Sequence, residues 1–293
     1  MDKPFYRSNM KTQTVLEKGS ARTNEDYLVI QDNIFAVFDG ATSLTAHRYS
    51  QGRTGGELAA RTAGSVFRKN HFPLTRLAGM ANREIMAQMD RNGVDTQKKE
   101  NLWSTSAAAV RIQKECLEWI QTGDAVIILI YDNGSHQVLA GRDDHDYETL
   151  SMWKRLVTNR RHPETAPAEN RVPDQKVPAI RQALASQIKK VRRQMNVTYG
   201  VLNGEPEAER FINQGMETLG RVTDILMFTD GLTIPRTMPE KRKDFSPLVS
   251  AYQSFGLDGL RDMIRLKERE DPDCLAFPRF KCHDDMAAIA ISL

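Results

Sequence analysis

Aspartates at the ends of apolar stretches carry the strongest chemical signal in this sequence. One apolar stretch runs into Asp39-Gly40, a second runs through a threonine into Asp230-Gly231, and a third begins just after Asp284. A single Asp-Gly pair is commonly a plain turn. Short apolar stretches of this kind predict strands, and neighbouring strands of a sheet bring their ends together. The set therefore predicts a cluster of carboxylates drawn from distant parts of the chain.

Three further acidic residues fit the same cluster. Glu25 and Asp26 open the first predicted hairpin strand, and Asp124 follows a glycine between two other strands. Two bare carboxylates ~4 Å apart repel by roughly 4 kcal/mol at the effective dielectric of a protein surface. Several together are stable only if cations neutralise them or if they take up protons. Because hard oxygen ligands select Mg²⁺ or Mn²⁺, the pattern predicts a divalent-metal site.

The elements that must position these residues are grouped along the chain. Strands and helices do not alternate in βαβ units, which favours an α+β fold with antiparallel sheets and helices on their faces. Residues 27–38 predict a hairpin, and the strands between 104 and 140 predict one antiparallel meander. The predicted helices are 52–69, one starting at 74, 178–195, one from about 205 to 216, 246–254 and 257–268, and the remaining strands are 224–229 and 286–293.

One stretch has no clear pattern. Residues 141–178 are polar and rich in arginine, aspartate, histidine and proline. A loop of that length in a compact domain is usually a functional flap or a disordered insert. No linker or repeat divides the chain, so we expect one domain over 1–293, with a variable flap or insert at about 141–195.

Composition excludes several classes of protein. The 293 residues are 40% hydrophobic and 27% charged, with a net charge of +3, as in ordinary globular proteins. The basic clusters at 189–193 and 241–243 are interpreted as solvated faces, because no aromatic residues interleave with them as nucleic-acid stacking requires. Three cysteines without CxxC spacing indicate reduced thiols in a cytoplasmic protein. No run of about 18 apolar residues occurs, so no membrane span is expected.

The acidic motifs, taken in order, resemble those of the metal-dependent protein phosphatase 2C family. The resemblance runs from about residue 20 to the C-terminus and implies two antiparallel sheets packed face to face, with helices on both outer faces. It also implies hydrolysis of phosphoserine and phosphothreonine in a phosphorylated protein substrate, as part of a Ser/Thr kinase system. The motifs are Arg22, Asn24-Glu25-Asp26, Phe38-Asp39-Gly40, Ser104-Thr105-Ser106-Ala107, Gly123-Asp124, Phe228-Thr229-Asp230-Gly231-Leu232 and Asp284-Asp285-Met286.

The resemblance also implies a role for each motif residue. Asp39 would bridge two metals, Mg²⁺ or Mn²⁺, and the Gly40 carbonyl would bind one of them. A water between the two cations would then attack phosphorus in line, with no covalent intermediate. Asp230 and Asp284 would bind the other metal directly, and Glu25 and Asp26 would hold metal-bound waters. Arg22 would bind the phosphate. Asp124 would form, with Asp230, a third and weaker metal site.

The sequence departs from the family where many relatives carry a histidine that protonates the leaving oxygen. Ala41-Thr42-Ser43 stands there instead. Such proton transfer is typically worth about 10²–10⁴ in rate. Substitutes are available in His47, His136 and His145, although each also fits an ordinary surface histidine. The usual Asp-Asn before the final strand is Asp284-Asp285 here.

Other functions remain open at this stage. The metals could serve hydrolysis of a small phosphate ester instead of a phosphoprotein. The missing histidine also fits a pseudophosphatase, a folded binding module that retains metal without turnover. A nucleic-acid-binding role would depend on the two basic clusters alone, and we rank it last.

Overall fold

The computed structural model describes residues 10–44, 47–141, 144–161, 180 and 182–293. The strands are β1 (Lys11–Glu17), β2 (Tyr27–Gln31), β3 (Ile34–Gly40), β4 (Thr105–Gln113), β5 (Cys116–Thr122), β6 (Val126–Tyr131), β7 (His136–Val138), β8 (Asn213–Thr218), β9 (Val222–Phe228) and β10 (Met286–Ser292). The helices are α1 (Gly55–Phe67), α2 (Leu74–Arg91), α3 (Tyr147–Arg161), α4 (Ala185–Arg192) and α5 (Ser246–Glu270).

The strands form two five-stranded sheets. One has the order β1-β10-β9-β6-β7 and the other β2-β3-β4-β5-β8, and the paired strands in both are antiparallel. The predicted α+β class and antiparallel sheets are therefore confirmed. The predicted hairpin is the pair β2 and β3, in which Tyr27 lies opposite Phe38.

Three apolar layers hold the fold together. Between the sheets, Phe35 and Val37 of β3 share a core with Ile225 and Met227 of β9. The helices α1 and α2 cover the outer face of one sheet, and α5 covers the outer face of the other. Burial of this much apolar surface is the main stabilising term in folding. The four layers, helix, sheet, sheet and helix, match the predicted arrangement.

The meander predicted over 104–140 is wrong in its connectivity. β4 and β5 pair in one sheet, whereas β6 and β7 belong to the other. The Gly123-Asp124 turn therefore carries the chain from sheet to sheet instead of closing a hairpin. Gly123 has φ +73°, a left-handed conformation that glycine adopts without steric cost. The local sequence of a two-residue turn is the same whether the turn closes a hairpin or connects two sheets. Which strand β6 pairs with depends on residues far away in the sequence.

The helix predicted from about 205 to 216 is also wrong. A 3₁₀ turn over Pro206–Phe211 is followed by β8, which pairs with β5. Side chains along β8 alternate between half-buried and exposed, and Met216 is exposed. Exposure along β8 therefore follows a strand period of two, and pairing with β5 overrides the helical spacing.

The patternless segment contains a helix. α3 occupies 147–161, where the sequence predicted a loop, and residues 142–143, 162–179 and 181 lie outside the described part. Trp153 of α3 is fully buried, and its indole nitrogen donates to the carbonyl of Cys274 at 3.0 Å. The helix predicted over 178–195 is present as α4. The two helices predicted at 246–254 and 257–268 run end to end as α5, interrupted at Gly256, where φ is +71°.

Candidate active site

Four distant aspartates meet at one end of the two sheets. Asp39, Asp124, Asp230 and Asp284 all line a single cavity of about 140 Å³, together with Gly40. Asp39 and Gly40 end β3, Asp124 lies where the chain crosses from β5 to β6, Asp230 follows β9, and Asp284 precedes β10. The two sheets thus deliver carboxylates from both sides, as the strand-end pattern requires.

The end of β3 leaves no room for a side chain at residue 40. A Cβ placed on Gly40 would overlap the backbone oxygens of Glu25 and Gly56. Only glycine lets the β3 backbone approach the loop before β2 this closely. This close packing places Glu25 beside the strand that carries Asp39.

Asp26 is anchored from the opposite sheet. Its Oδ2 accepts a 2.6 Å hydrogen bond from the hydroxyl of Thr229. That hydroxyl oxygen also accepts from the backbone N–H of Ala287 at 2.9 Å. The threonine before Asp230 therefore ties three separate segments of the site together, and all three residues are buried.

Glu25 is buried with one oxygen unsatisfied. Its Oε2 accepts from the Thr42 hydroxyl at 2.7 Å and lies 4.0 Å from the Lys281 ammonium. Its Oε1 is buried without a hydrogen-bond partner among the described residues. A buried unsatisfied carboxylate oxygen costs free energy, so its retention at this position fits a cation or an ordered water as partner.

The two consecutive aspartates before β10 have different surroundings. Asp285 is buried and accepts from the backbone N–H groups of Gly19 at 2.7 Å and Glu25 at 2.9 Å. Asp284 lines the cavity, and its Oδ1 lies 2.6 Å from the Lys281 ammonium. Asp285 therefore fixes the loop that bears Glu25, while Asp284 faces the site. Sequence reasoning missed Lys281, whose only signal is its spacing of three residues from Asp284.

Electrostatics in the cluster oppose full ionisation. Burial raises the pKa of Asp39 well above its ordinary value, and the nearby Asp230, Asp26 and Asp124 raise it further. Burial likewise raises the pKa of Asp26, with the charges of Asp284 and Asp230 adding to it and the Thr229 hydrogen bond opposing it. Burial together with Asp284 and Asp124 raises the pKa of Asp230 to about 7.

The donor set fits divalent cations. It consists of carboxylates and a backbone carbonyl, the hard oxygen ligands that Mg²⁺ and Mn²⁺ prefer. In the described ranges, no three acidic, histidine or cysteine side chains converge as a ready-made coordination shell. Asp284 instead lies against the Lys281 ammonium, 2.6 Å from it. The raised pKa values and the unsatisfied Glu25 oxygen indicate a site that positive charge would stabilise.

Of the three histidines considered as substitutes for the missing one, His145 alone lines the cavity. Its ring stacks on Tyr199 with centroids 4.1 Å apart, and its Nε2 lies 3.8 Å from Asp124 and 3.7 Å from Asp146. Burial lowers the pKa of His145, but the three neighbouring aspartates outweigh it and raise the pKa above its ordinary value. His47 instead packs against Tyr49.

Asp124 is held in place by a hydroxyl. Its Oδ1 accepts from the Ser106 hydroxyl at 2.5 Å, and Ser106 lies opposite Asp39 in the β3–β4 register. Burial raises the pKa of Asp124, but His145 and the Ser106 hydrogen bond lower it to a net value below the ordinary one. Asp124 is thus more readily ionised than Asp39 and Asp230, whose pKa values are raised.

The cationic residues around the cavity differ from those predicted. Arg22 is exposed and does not belong to the described cavity lining, whereas Arg192 at the end of α4 does. Lys243 pairs with Asp144 at 3.2 Å beside the cluster. Both Lys243 and Arg192 come from the basic clusters interpreted as solvated faces, and nothing in local sequence distinguishes them from their exposed neighbours.

Comparison with known proteins identifies the family. The family model described as Protein phosphatase 2C matches residues 20–258. The chain belongs to the protein phosphatase 2C family. Its members are metal-dependent Ser/Thr protein phosphatases, so the predicted family and enzyme class are confirmed. This membership favours a protein phosphatase over an enzyme for small phosphate esters.

Solved structures of protein phosphatase 2C enzymes share the fold. The Ser/Thr phosphatase PstP/Ppp of Mycobacterium tuberculosis has 15% identity and a TM-score of 0.56, covering 97% of this chain and 98% of its own. A structure of the PstP catalytic domain in complex with two manganese ions has 14% identity and a TM-score of 0.56, covering 97% of both chains. Stp1 of Staphylococcus aureus has 12% identity and a TM-score of 0.55, covering 100% and 99%.

No curated protein matches the sequence. None of the helices in the described residues is both long and apolar enough to cross a membrane.

Proposed function

We propose that this protein phosphatase 2C member hydrolyses phosphoserine and phosphothreonine in a protein substrate at the cavity lined by Asp39, Asp124, Asp230 and Asp284. The observation that carries the proposal is the convergence of these carboxylates with raised pKa values on one cavity. The substrate is then the product of a Ser/Thr kinase. We place the activity in the cytoplasm, since free cysteines are typical of a reducing compartment.

The positions of the oxygens support an assignment of ligands. Asp39, the Gly40 carbonyl, Asp230 and Asp284 would hold two Mg²⁺ or Mn²⁺ ions, and Asp124 would contribute to a third, weaker site. When bound, the cations would neutralise the acids, stabilise charge on the phosphate and acidify a water for attack on phosphorus. Glu25 and Asp26 keep oxygens near this centre, where they can accept hydrogen bonds from ordered waters.

His145 can take the role of the histidine that this sequence lacks after Asp39-Gly40. It lines the same cavity, and its stack on Tyr199 fixes the ring plane. A donor at this position can hydrogen-bond the departing serine oxygen and transfer a proton to it.

The metal-dependence experiment tests the function as a whole. A phosphoserine peptide and para-nitrophenyl phosphate are incubated with the protein in Mn²⁺, in Mg²⁺ and in EDTA. We expect hydrolysis of the peptide in either metal and its loss in EDTA. Activity that persists in EDTA, or metal binding without hydrolysis of any phosphoester, would overturn the proposal.

The role of His145 is tested through the leaving group. His145→Gln should slow phosphoserine hydrolysis by about a hundredfold, the scale of general acid catalysis. It should slow para-nitrophenyl phosphate hydrolysis only severalfold, since nitrophenolate departs without a proton. His136→Gln, in β7, is the matched control and should leave both rates unchanged. An equal loss on the two substrates would remove His145 from this role.

A further inference from the structure

Arg192 reaches the active-site cavity from the end of α4. One terminal nitrogen donates to the Thr42 carbonyl at 2.7 Å, and the other donates to the Ser104 hydroxyl at 3.3 Å. Thr42 in turn donates to Glu25. The guanidinium therefore lies against the loop that follows Asp39-Gly40, on the wall of the cavity.

The helix that carries Arg192 is fixed independently of it. Lys189 and Arg193 both pair with Glu100, at 2.8 Å and 3.0 Å. The Tyr199 hydroxyl also donates to the carbonyl of Val191 at 3.3 Å. Three contacts thus hold the last turn of α4 against the body of the protein, and the guanidinium is presented from a rigid element.

The charge of Arg192 is not neutralised by a carboxylate in the part of the chain that the structure describes. Its two hydrogen bonds there go to neutral oxygens. By contrast, the Lys281 ammonium, which lines the same cavity, is paired with Asp284 at 2.6 Å. A guanidinium has five N–H donors, so Arg192 keeps donors for a further partner. Planar, bidentate recognition of phosphate is the usual use of such a group.

The cavity that Arg192 lines also has apolar side chains. Ile188 and Val191 are on α4 itself, and Leu44 and Val201 belong to the same lining, and we refer to these four residues as the apolar wall. Leu44 is 40% exposed, so part of this surface is open to a ligand.

We propose that Arg192 binds the phosphate of the substrate, and that the adjacent apolar wall receives an apolar side chain next to the phosphoserine or phosphothreonine. The substrate class is a phosphopeptide segment with an apolar neighbour. This inference rests on the proposed function and adds an anchor that Arg22, exposed and outside the described cavity lining, does not supply.

A purely structural role for Arg192 predicts different behaviour. If it only tied α4 to the Thr42 loop, Arg192→Gln would keep most of its function, because the glutamine amide can still donate to a neutral oxygen. Removal of the charge should matter only if the partner is an anion. Arg192→Lys keeps the charge but loses the planar fork.

The experiment compares Arg192→Gln, Arg192→Lys and the matched control Arg193→Gln in saturating Mn²⁺. For a phosphoserine peptide with a neighbouring leucine, Arg192→Gln should raise KM by about 10–100-fold, the range for loss of hydrogen bonds to a charged group. Its kcat should stay within about threefold, and Arg192→Lys should be intermediate. Arg193→Gln should match the wild type, because Lys189 still pairs with Glu100 and the Tyr199 hydroxyl still donates to the Val191 carbonyl. Replacing leucine by aspartate in the peptide should raise the wild-type KM about tenfold, the scale of lost apolar contact in a pocket.

A binding measurement separates this inference from the proposed function. Fluorescence anisotropy of a labelled phosphopeptide measures its binding to Asp230→Asn protein without any turnover. In this background, a second substitution Arg192→Gln should weaken binding about tenfold, whereas Arg193→Gln should leave it unchanged. If Arg192→Gln weakened binding but the wild-type protein hydrolysed no phosphopeptide, the role of Arg192 as an anchor would stand and the proposed phosphatase function would be overturned. Equal effects of the two arginine substitutions, or a loss in melting temperature alone, would overturn the anchor.

Discussion

Asp271 and the acids of the cavity are aspartates in opposite environments. The Asp271 carboxylate accepts from the backbone N–H groups of Leu275, Ala276 and Phe277 at 2.8, 3.1 and 2.8 Å, and from the Arg279 guanidinium at 2.9 Å. Burial raises its pKa, but these hydrogen bonds outweigh it and lower the pKa below the ordinary value. The chain itself supplies every donor that this carboxylate needs.

The carboxylates of Asp39 and Asp230 have no such donors among the described residues. Burial and neighbouring negative charge raise the pKa of both. The contrast separates two uses of an aspartate that is at least half-buried. A carboxylate satisfied by its own chain holds a loop in shape, whereas one left without donors is ready for a ligand that brings positive charge.

The largest expected effect is on catalysis. Asp39→Asn and Asp230→Asn should each reduce Mn²⁺-dependent hydrolysis of a phosphopeptide by at least about a hundredfold, the scale expected for loss of a metal-site group. Asp271→Asn, measured well below its melting temperature, should keep kcat within severalfold. Asp132→Asn, which breaks an exposed pair with Arg221, is a second control. A comparable loss in Asp271→Asn would erase the distinction between the two environments.

A smaller effect is expected on the free energy of unfolding. Here substitution of Asp271 should have a larger effect than substitution of Asp39, the reverse of their effects on catalysis. Asp271→Ala should reduce the free energy of unfolding by about 2 kcal/mol, because it leaves buried N–H groups unpaired. Asp39→Asn should leave metal-free protein equally stable or more stable, since it removes a repelling charge. Urea denaturation in EDTA measures both. A destabilised Asp39→Asn protein would mean that Asp39 has structural partners.

The smallest effect is the pH dependence of metal-free stability. An aspartate with a raised folded pKa contributes stability below its unfolded pKa, and this contribution is lost as pH rises through the folded value, about 7 for Asp230. In EDTA the melting temperature should therefore fall by about 3 °C between pH 5.5 and 8, the shift for roughly 1 kcal/mol in a protein of this size. Mn²⁺ should abolish the decline.

Asp271 gives the opposite sign. Its lowered folded pKa contributes stability that is present above the unfolded pKa and lost only as pH falls through the folded value. Asp271→Asn should therefore leave the slope between pH 5.5 and 8 unchanged, whereas Asp230→Asn should flatten it. The same slope in wild type and Asp230→Asn would contradict the assignment.

Sequence predicted the elements whose local pattern agrees with their environment. β3, β9 and β10 are continuous apolar stretches because both of their faces are buried. β1 was missed because most of its side chains are exposed and only Val15 is buried, so the strand exists through pairing with β10. The crossing at Gly123-Asp124 was misread for the same reason, since its partner strands are chosen far away in sequence.

The residues of the candidate site likewise fall into those with a local sequence signal and those without one. Asp39 and Asp230 were found because each ends an apolar stretch, a signal that is local. Lys281, His145 and Arg192 reach the cavity only through the packing of loops and helices, and no periodicity marks them. Assigning them requires knowing which side of α4, or of the loop before β10, faces the sheets.

The pairing of β1 with β10 has a consequence for the life of the nascent chain. Lys11 lies opposite Ser292, and Asp285 holds the backbone of Gly19 and Glu25. A polypeptide still on the ribosome and halted before Asp284 lacks one predicted ligand and leaves β1 unpaired. The predicted metal site can therefore form only after residues 284–292 have been translated, because Asp284, the Asp285 hydrogen bonds and the partner strand of β1 all come from this segment.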